Sequence, residues 1–69
     1  KGVYYMTKYY TTREIADILK LKQQTLKLWR RKGKGPKFIK IEGKMIRYPS
    51  VYFEEWMDGY KNQSIQQPY

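Results

Sequence analysis

The chain has 69 residues, 15 Lys or Arg against 6 Asp or Glu, and a net charge of +9. Cys and His are both absent, which excludes a disulfide framework, Cys/His zinc sites, thiol catalysis and His-based acid–base chemistry. No apolar run approaches the roughly 20 residues of a membrane span, and no signal-peptide core is visible. With 41% apolar and 17% aromatic residues, the sequence is too rich in large hydrophobes for a disordered basic tail and fits one small domain. The charge is concentrated: residues 20–47 carry eleven basic groups and one acid, Glu42. The chain begins at Lys1, as expected of a trimmed protein or a piece of a longer one.

Residues 1–9 form a Tyr-rich arm of extended or loose conformation. Thr11 and Glu14 are spaced as a capping box, with Tyr10 and Ile15 at the two staple positions around it. Ile15, Ile18 and Leu19, with Ala16 beside them, give one apolar stripe, which predicts a helix over 12–19. Lys20-Leu21-Lys22 leaves room only for a tight joint, as in a helix-turn-helix. A second helix is expected over 23–32, ending at Gly33. At 100° per residue, Leu26 and Trp29 face inward. Gln24, Lys27, Leu28 and Arg31 share the opposite, cationic face, with Gln23 on its flank.

Gly33-Lys34-Gly35-Pro36 breaks the helix and turns the chain. It lacks the remaining spacing of a phosphate-cradling loop, although Lys32, Lys34 and Lys37 remain open to phosphate contact. Phe38–Ile41 and Met45–Tyr48 are strand-like around Glu42-Gly43-Lys44, a hairpin signal. Pro49-Ser50 opens a third helix with Ser50 as N-cap. Phe53, Trp56, Met57 and Tyr60 give its core face, and Gly59 is a candidate end. The single core is expected to hold Ile15, Ile18, Leu26, Trp29, Phe53 and Trp56. Residues 10–61 thus form one α+β domain of three helices and a two-stranded hairpin, followed by a polar tail at 62–69.

The ordered residues Tyr10–Leu19, Thr25-Leu26 with Trp29, Gly33 with Pro36, Arg47, and Ser50 with Phe53-Glu54-Glu55-Trp56 resemble the excisionase and MerR-like winged helix-turn-helix domains. The resemblance covers about residues 9–58. It implies a hairpin wing lying along the DNA backbone or in the minor groove, and a role as excisionase, transcription regulator or accessory protein of a phage, plasmid or other mobile element. Two features depart from the family: Lys20 stands where a glycine is usual, and no long coiled-coil helix follows the third helix.

A helix-turn-helix sets the start of its second helix against base edges in the major groove. Gln23 and Gln24 have the chemistry to bond adenine, Lys27 and Arg31 to bond guanine or phosphate, and Leu28 to meet a thymine methyl. Thr25 would reach a phosphate from the flank. Thr12 and Arg13 at the start of the first helix are candidate phosphate contacts, while Thr11 is read as a cap. Lys34, Lys37, Lys40, Lys44 and Arg47 are the wing and turn candidates. Lys40 is equally explained as a guard against edge pairing.

The leading reading is a duplex-DNA-binding protein of the bacterial cytoplasm and nucleoid, needing no cofactor, metal or small-molecule ligand. The alternative is a non-catalytic accessory subunit of a replication or recombination assembly. It would hold a protein partner, or a copy of itself, through Tyr4, Tyr5, Tyr9 and Tyr10 and bind DNA, including single strands, with little sequence preference. No nucleophile–base pair or metal constellation can be assembled, so an enzyme is not expected.

Overall fold

The computed structural model describes residues 7–64. In chain order these form β1 (Tyr9–Tyr10), α1 (Thr12–Leu19), α2 (Gln23–Lys32), β2 (Ile39–Ile41), β3 (Met45–Pro49) and α3 (Ser50–Ser64). The capping box at the head of α1 forms in full: the Thr11 hydroxyl accepts from the Glu14 amide at 3.1 Å, and the Glu14 carboxylate accepts from the Thr11 amide at 2.9 Å. Two orphan donors are thereby satisfied.

The two helices of the helix-turn-helix close in the same way. Leu21 N donates to Ala16 O at 2.8 Å and Lys20 N to Asp17 O at 3.3 Å, with Lys20 left-handed at φ 60°. After α2, Lys34 N donates to Trp29 O at 2.8 Å and Gly33 N to Arg30 O at 3.4 Å, with Gly33 at φ 70°. Each is a Schellman closure. Lysine therefore takes up the left-handed conformation, one that glycine adopts at no steric cost. Gly35 is required by space as well, since a Cβ there would lie 2.8 Å from the Trp29 ring.

The hairpin expected around Glu42-Gly43-Lys44 is present, with Ile41 paired to Met45 across a three-residue loop in which Glu42 (φ 55°) and Gly43 (φ 72°) are left-handed and Lys44 N donates to Ile41 O at 3.1 Å. The sheet is larger than the two-stranded wing. β1 pairs antiparallel with β3 in the register Tyr10↔Tyr48, giving the order β1-β3-β2. The expectation of an extended or loose arm over residues 1–9 agrees with an extended Tyr9 but did not include the pairing, because the partner strand lies far along the chain and two residues carry no period. The Ser50 hydroxyl accepts from the Lys8 amide at 3.1 Å, and the Ser50 amide donates to the Lys8 carbonyl at 2.8 Å. The residue expected to cap α3 thus ties that helix to the chain entering β1.

The core is Ile15, Ala16, Leu26, Tyr48 and Phe53, with Tyr10, Leu19, Trp29, Phe38, Ile46, Trp56 and Met57 packed on it. Its rings touch in sequence: Tyr10 meets Phe53 edge-on at 6.0 Å, and Trp56 lies 5.8 Å from Trp29. Three expectations are corrected. Ile18 is 49% exposed rather than core, because it stands about 60° around the helix from Ile15 and so small a domain does not cover that flank. Tyr60 is 52% exposed, its ring edge-on to Trp56 at 5.0 Å. Gly59 does not stop α3, which runs to Ser64. Of the Tyr cluster, Tyr10 is half-buried and Tyr9 exposed, while Tyr4 and Tyr5 lie outside the described residues.

Candidate nucleic-acid interface

Between α2 and the hairpin runs an open groove of about 910 Å³. Gln24, Lys27, Leu28, Arg30 and Arg31 form its helix side, and Phe38, Lys40, Gly43, Lys44 and Ile46 form its hairpin side. The helix side follows from the 100° geometry: with Leu26 fully buried, the opposite stripe must point outward. Leu28 stands 39% exposed among these cations. The hairpin side follows from strand alternation. Lys40 is paired with Ile46, so the two share a face, and Tyr48 carries that face down into the core.

The expected site residues thus divide. Gln24, Lys27, Leu28, Arg31, Lys40 and Lys44 come together in the groove. Gln23 is exposed at the start of α2 and Thr25 is half-buried beside it; neither lines the groove. Arg13 is exposed on α1, and the Thr12 hydroxyl is engaged within the protein, accepting from Arg30. Lys34 and Lys37 line a second, smaller recess with Gly33, Pro36 and Tyr52, where Lys37 Nζ lies 5.8 Å from the centroid of the Tyr52 ring. Arg47 alternates with Ile46 on β3 and pairs with Ile39, which sets it on the face away from α2. Its guanidinium donates to the Ile46 carbonyl at 2.7 Å.

Sequence reasoning passed over Arg30. It is half-buried, and its Nη1 donates to Tyr48 Oη at 2.7 Å and to Thr12 Oγ1 at 3.2 Å. Its guanidinium carbon stands 5.6 Å from the centroid of the Phe38 ring. The signal was present, since an arginine four residues after a core leucine points along the inner flank of its helix. Tyr48 was also missed as a core residue: it is 1% exposed, and Arg30 satisfies the hydroxyl that its burial would otherwise orphan.

Among the described residues no group of His, Cys, Asp or Glu is placed to hold a metal ion, and no helix is long and apolar enough to cross a membrane. The groove is therefore defined by cations, one amide and apolar side chains, a set suited to a polyanion with exposed base edges. Comparisons with curated proteins and with solved structures give no match. Comparison with known families matches residues 9–61, from β1 through most of α3, to the helix-turn-helix domain. The match spans the capping box, both helices, the turn and the hairpin, and the chain belongs to the excisionase-like family of DNA-binding helix-turn-helix domains.

Proposed function

We propose that residues 10–61 bind double-stranded DNA with α2 in the major groove and the hairpin along the adjoining backbone or minor groove. The observation that carries this reading is the basic groove, in which Gln24, Lys27, Leu28 and Arg31 of α2 face Lys40 and Lys44 of the hairpin. A rod of regularly spaced phosphates with a groove wide enough for one helix is the polyanion that such a surface complements. Gln24 reads adenine through its amide, Leu28 meets a thymine methyl, and Lys27 and Arg31 bond guanine or neighbouring phosphates. Lys44 at the hairpin tip neutralises a phosphate. Gln23 and Thr25 lie beside Gln24 at the start of α2, and the cations Arg13, Lys34, Lys37 and Arg47, outside the groove, add to the positive field of the domain.

The protein acts without catalysis, as an excisionase or transcription regulator of a mobile element, phage or plasmid, on DNA in the bacterial cytoplasm. Membership of the excisionase-like family supports that role. The test is selection from a random duplex library followed by titration of the winning site. A preferred sequence, with affinity falling steeply as salt rises, is expected. Binding of all duplexes alike would refute base readout by α2.

A further inference from the structure

We propose that Arg30, held in place by Tyr48, Thr12 and Phe38, is a pre-set clamp for one DNA backbone phosphate at the junction of α1, α2 and the hairpin. This rests on the duplex-binding reading above and names a contact that the outer face of α2 does not supply.

The hydrogen-bond pattern selects the ligand. A guanidinium has five N–H donors and two edges that can take an oxyanion side-on. In Arg30 both anchoring bonds leave from Nη1, while Nε and Nη2 make no hydrogen bond among the described residues. One edge is therefore engaged and the Nε/Nη2 edge is vacant. Packing against Phe38 fixes the plane of the group.

The charge balance points the same way. Arg30 is half-buried, yet its partners are two hydroxyls and a ring, and it makes no ion pair with any described carboxylate. A partly desolvated cation with only neutral partners gains more from an incoming anion than a fully hydrated surface lysine does. It also loses little side-chain freedom on binding, because the structure already holds it.

The location favours phosphate over a base edge. Arg30 lines the groove beside Phe38, on the inner flank of α2, whereas Gln24, Lys27 and Leu28 lie outward. Its anchor Thr12 is the first residue of α1; the Glu14 carboxylate already caps that helix end, so the attraction for an anion at this point rests on the guanidinium itself. A strand passing between α2 and the hairpin would bring its phosphate, not its base edges, to that position.

The test uses the chain with the selected duplex, and compares wild type with Arg30→Lys, Arg30→Gln and Tyr48→Phe. Wild type is first scanned with duplexes carrying a single neutral methylphosphonate. One position is expected to weaken wild type by roughly tenfold and to leave Arg30→Gln unaffected. Arg30→Gln should bind preferred and random duplexes alike roughly tenfold more weakly, with the salt slope reduced by about one unit. Arg30→Lys should keep the slope but not the affinity, since it retains charge and lacks the fork. Tyr48→Phe, with its fold verified by circular dichroism, should also keep the slope and bind several-fold more weakly, because only the anchor is lost. If Arg30→Gln does not fold, Arg30→Lys decides: reduced sensitivity to that methylphosphonate supports the clamp, and undiminished sensitivity overturns it.

Three further results would overturn the proposal: no phosphate whose neutralisation is masked by the Arg30 variants, an unchanged salt slope in a folded Arg30→Gln, or a defect confined to one base pair. Failure of wild type to prefer any duplex would instead refute the duplex reading and this clamp with it.

Discussion

Lys20 holds the turn on which α2 is set. An L-residue in the left-handed region carries a penalty of about 1 kcal/mol or more, and Lys20 is not compensated by any side-chain hydrogen bond among the described residues. Lys20→Gly should therefore raise stability by up to about 1 kcal/mol in urea melts. A loss of stability on that change would show that the lysine side chain supports the turn. Gly35 is the opposite case. Its φ is +84° and a Cβ would meet the Trp29 ring at 2.8 Å, so Gly35→Ala should destabilise by about 1–3 kcal/mol through backbone strain and overpacking. Trp29 itself packs against the core and against Trp56. Truncating it to alanine should cost about 3 kcal/mol, a large share of the stability of so small a domain. A Trp29→Ala protein that melts with wild type would contradict the assignment of the inner face of α2.

At the scale of elements, α2 and the hairpin should fail differently. Gln24→Ala should weaken the preferred site by about 1–3 kcal/mol and relax the base preference beneath it. Lys44→Ala should weaken every duplex similarly and lower the salt slope by about one unit. Equal, sequence-independent losses from both would show that α2 reads no bases. These elements were legible because each carries a local signal: the Thr11/Glu14 box for α1, the Gly33 stop for α2, and Glu42-Gly43 for the hairpin. What escaped was what depends on distant partners. β1 exists because Tyr10 meets Tyr48, and Tyr48 is core because its hydroxyl accepts from Arg30. Gly59 failed as a stop because a helical glycine costs only about 1 kcal/mol, and Tyr60 beyond it packs edge-on against Trp56. The outward stripe of α2 could be read from periodicity, whereas the facing of Lys40 and the turning away of Arg47 required the register of β2 on β3.

At the scale of the whole molecule, we propose that the charge in residues 20–47 is shaped for a duplex and not for a single strand. A single-strand site stacks bases on exposed aromatic rings along a positive groove. Residues 20–47 contain only two aromatics, Trp29 and Phe38. Trp29 is half-buried against Trp56, and Phe38 is half-buried between Tyr48 and the Arg30 guanidinium. Phe38 is the one ring in the groove lining, and the Arg30 guanidinium packs against it; around it stand helix-borne cations, Gln24 and Leu28, opposite a basic hairpin. The most direct measurement is a fluorescence-anisotropy competition at moderate salt between the selected duplex, a random duplex and the equal-length single strands. Binding in the order selected duplex, random duplex, single strand is the result expected. Single strands that bind as tightly as any duplex, with that binding reduced by Tyr4→Ala or Tyr5→Ala, would contradict it and make the chain an accessory single-strand binder.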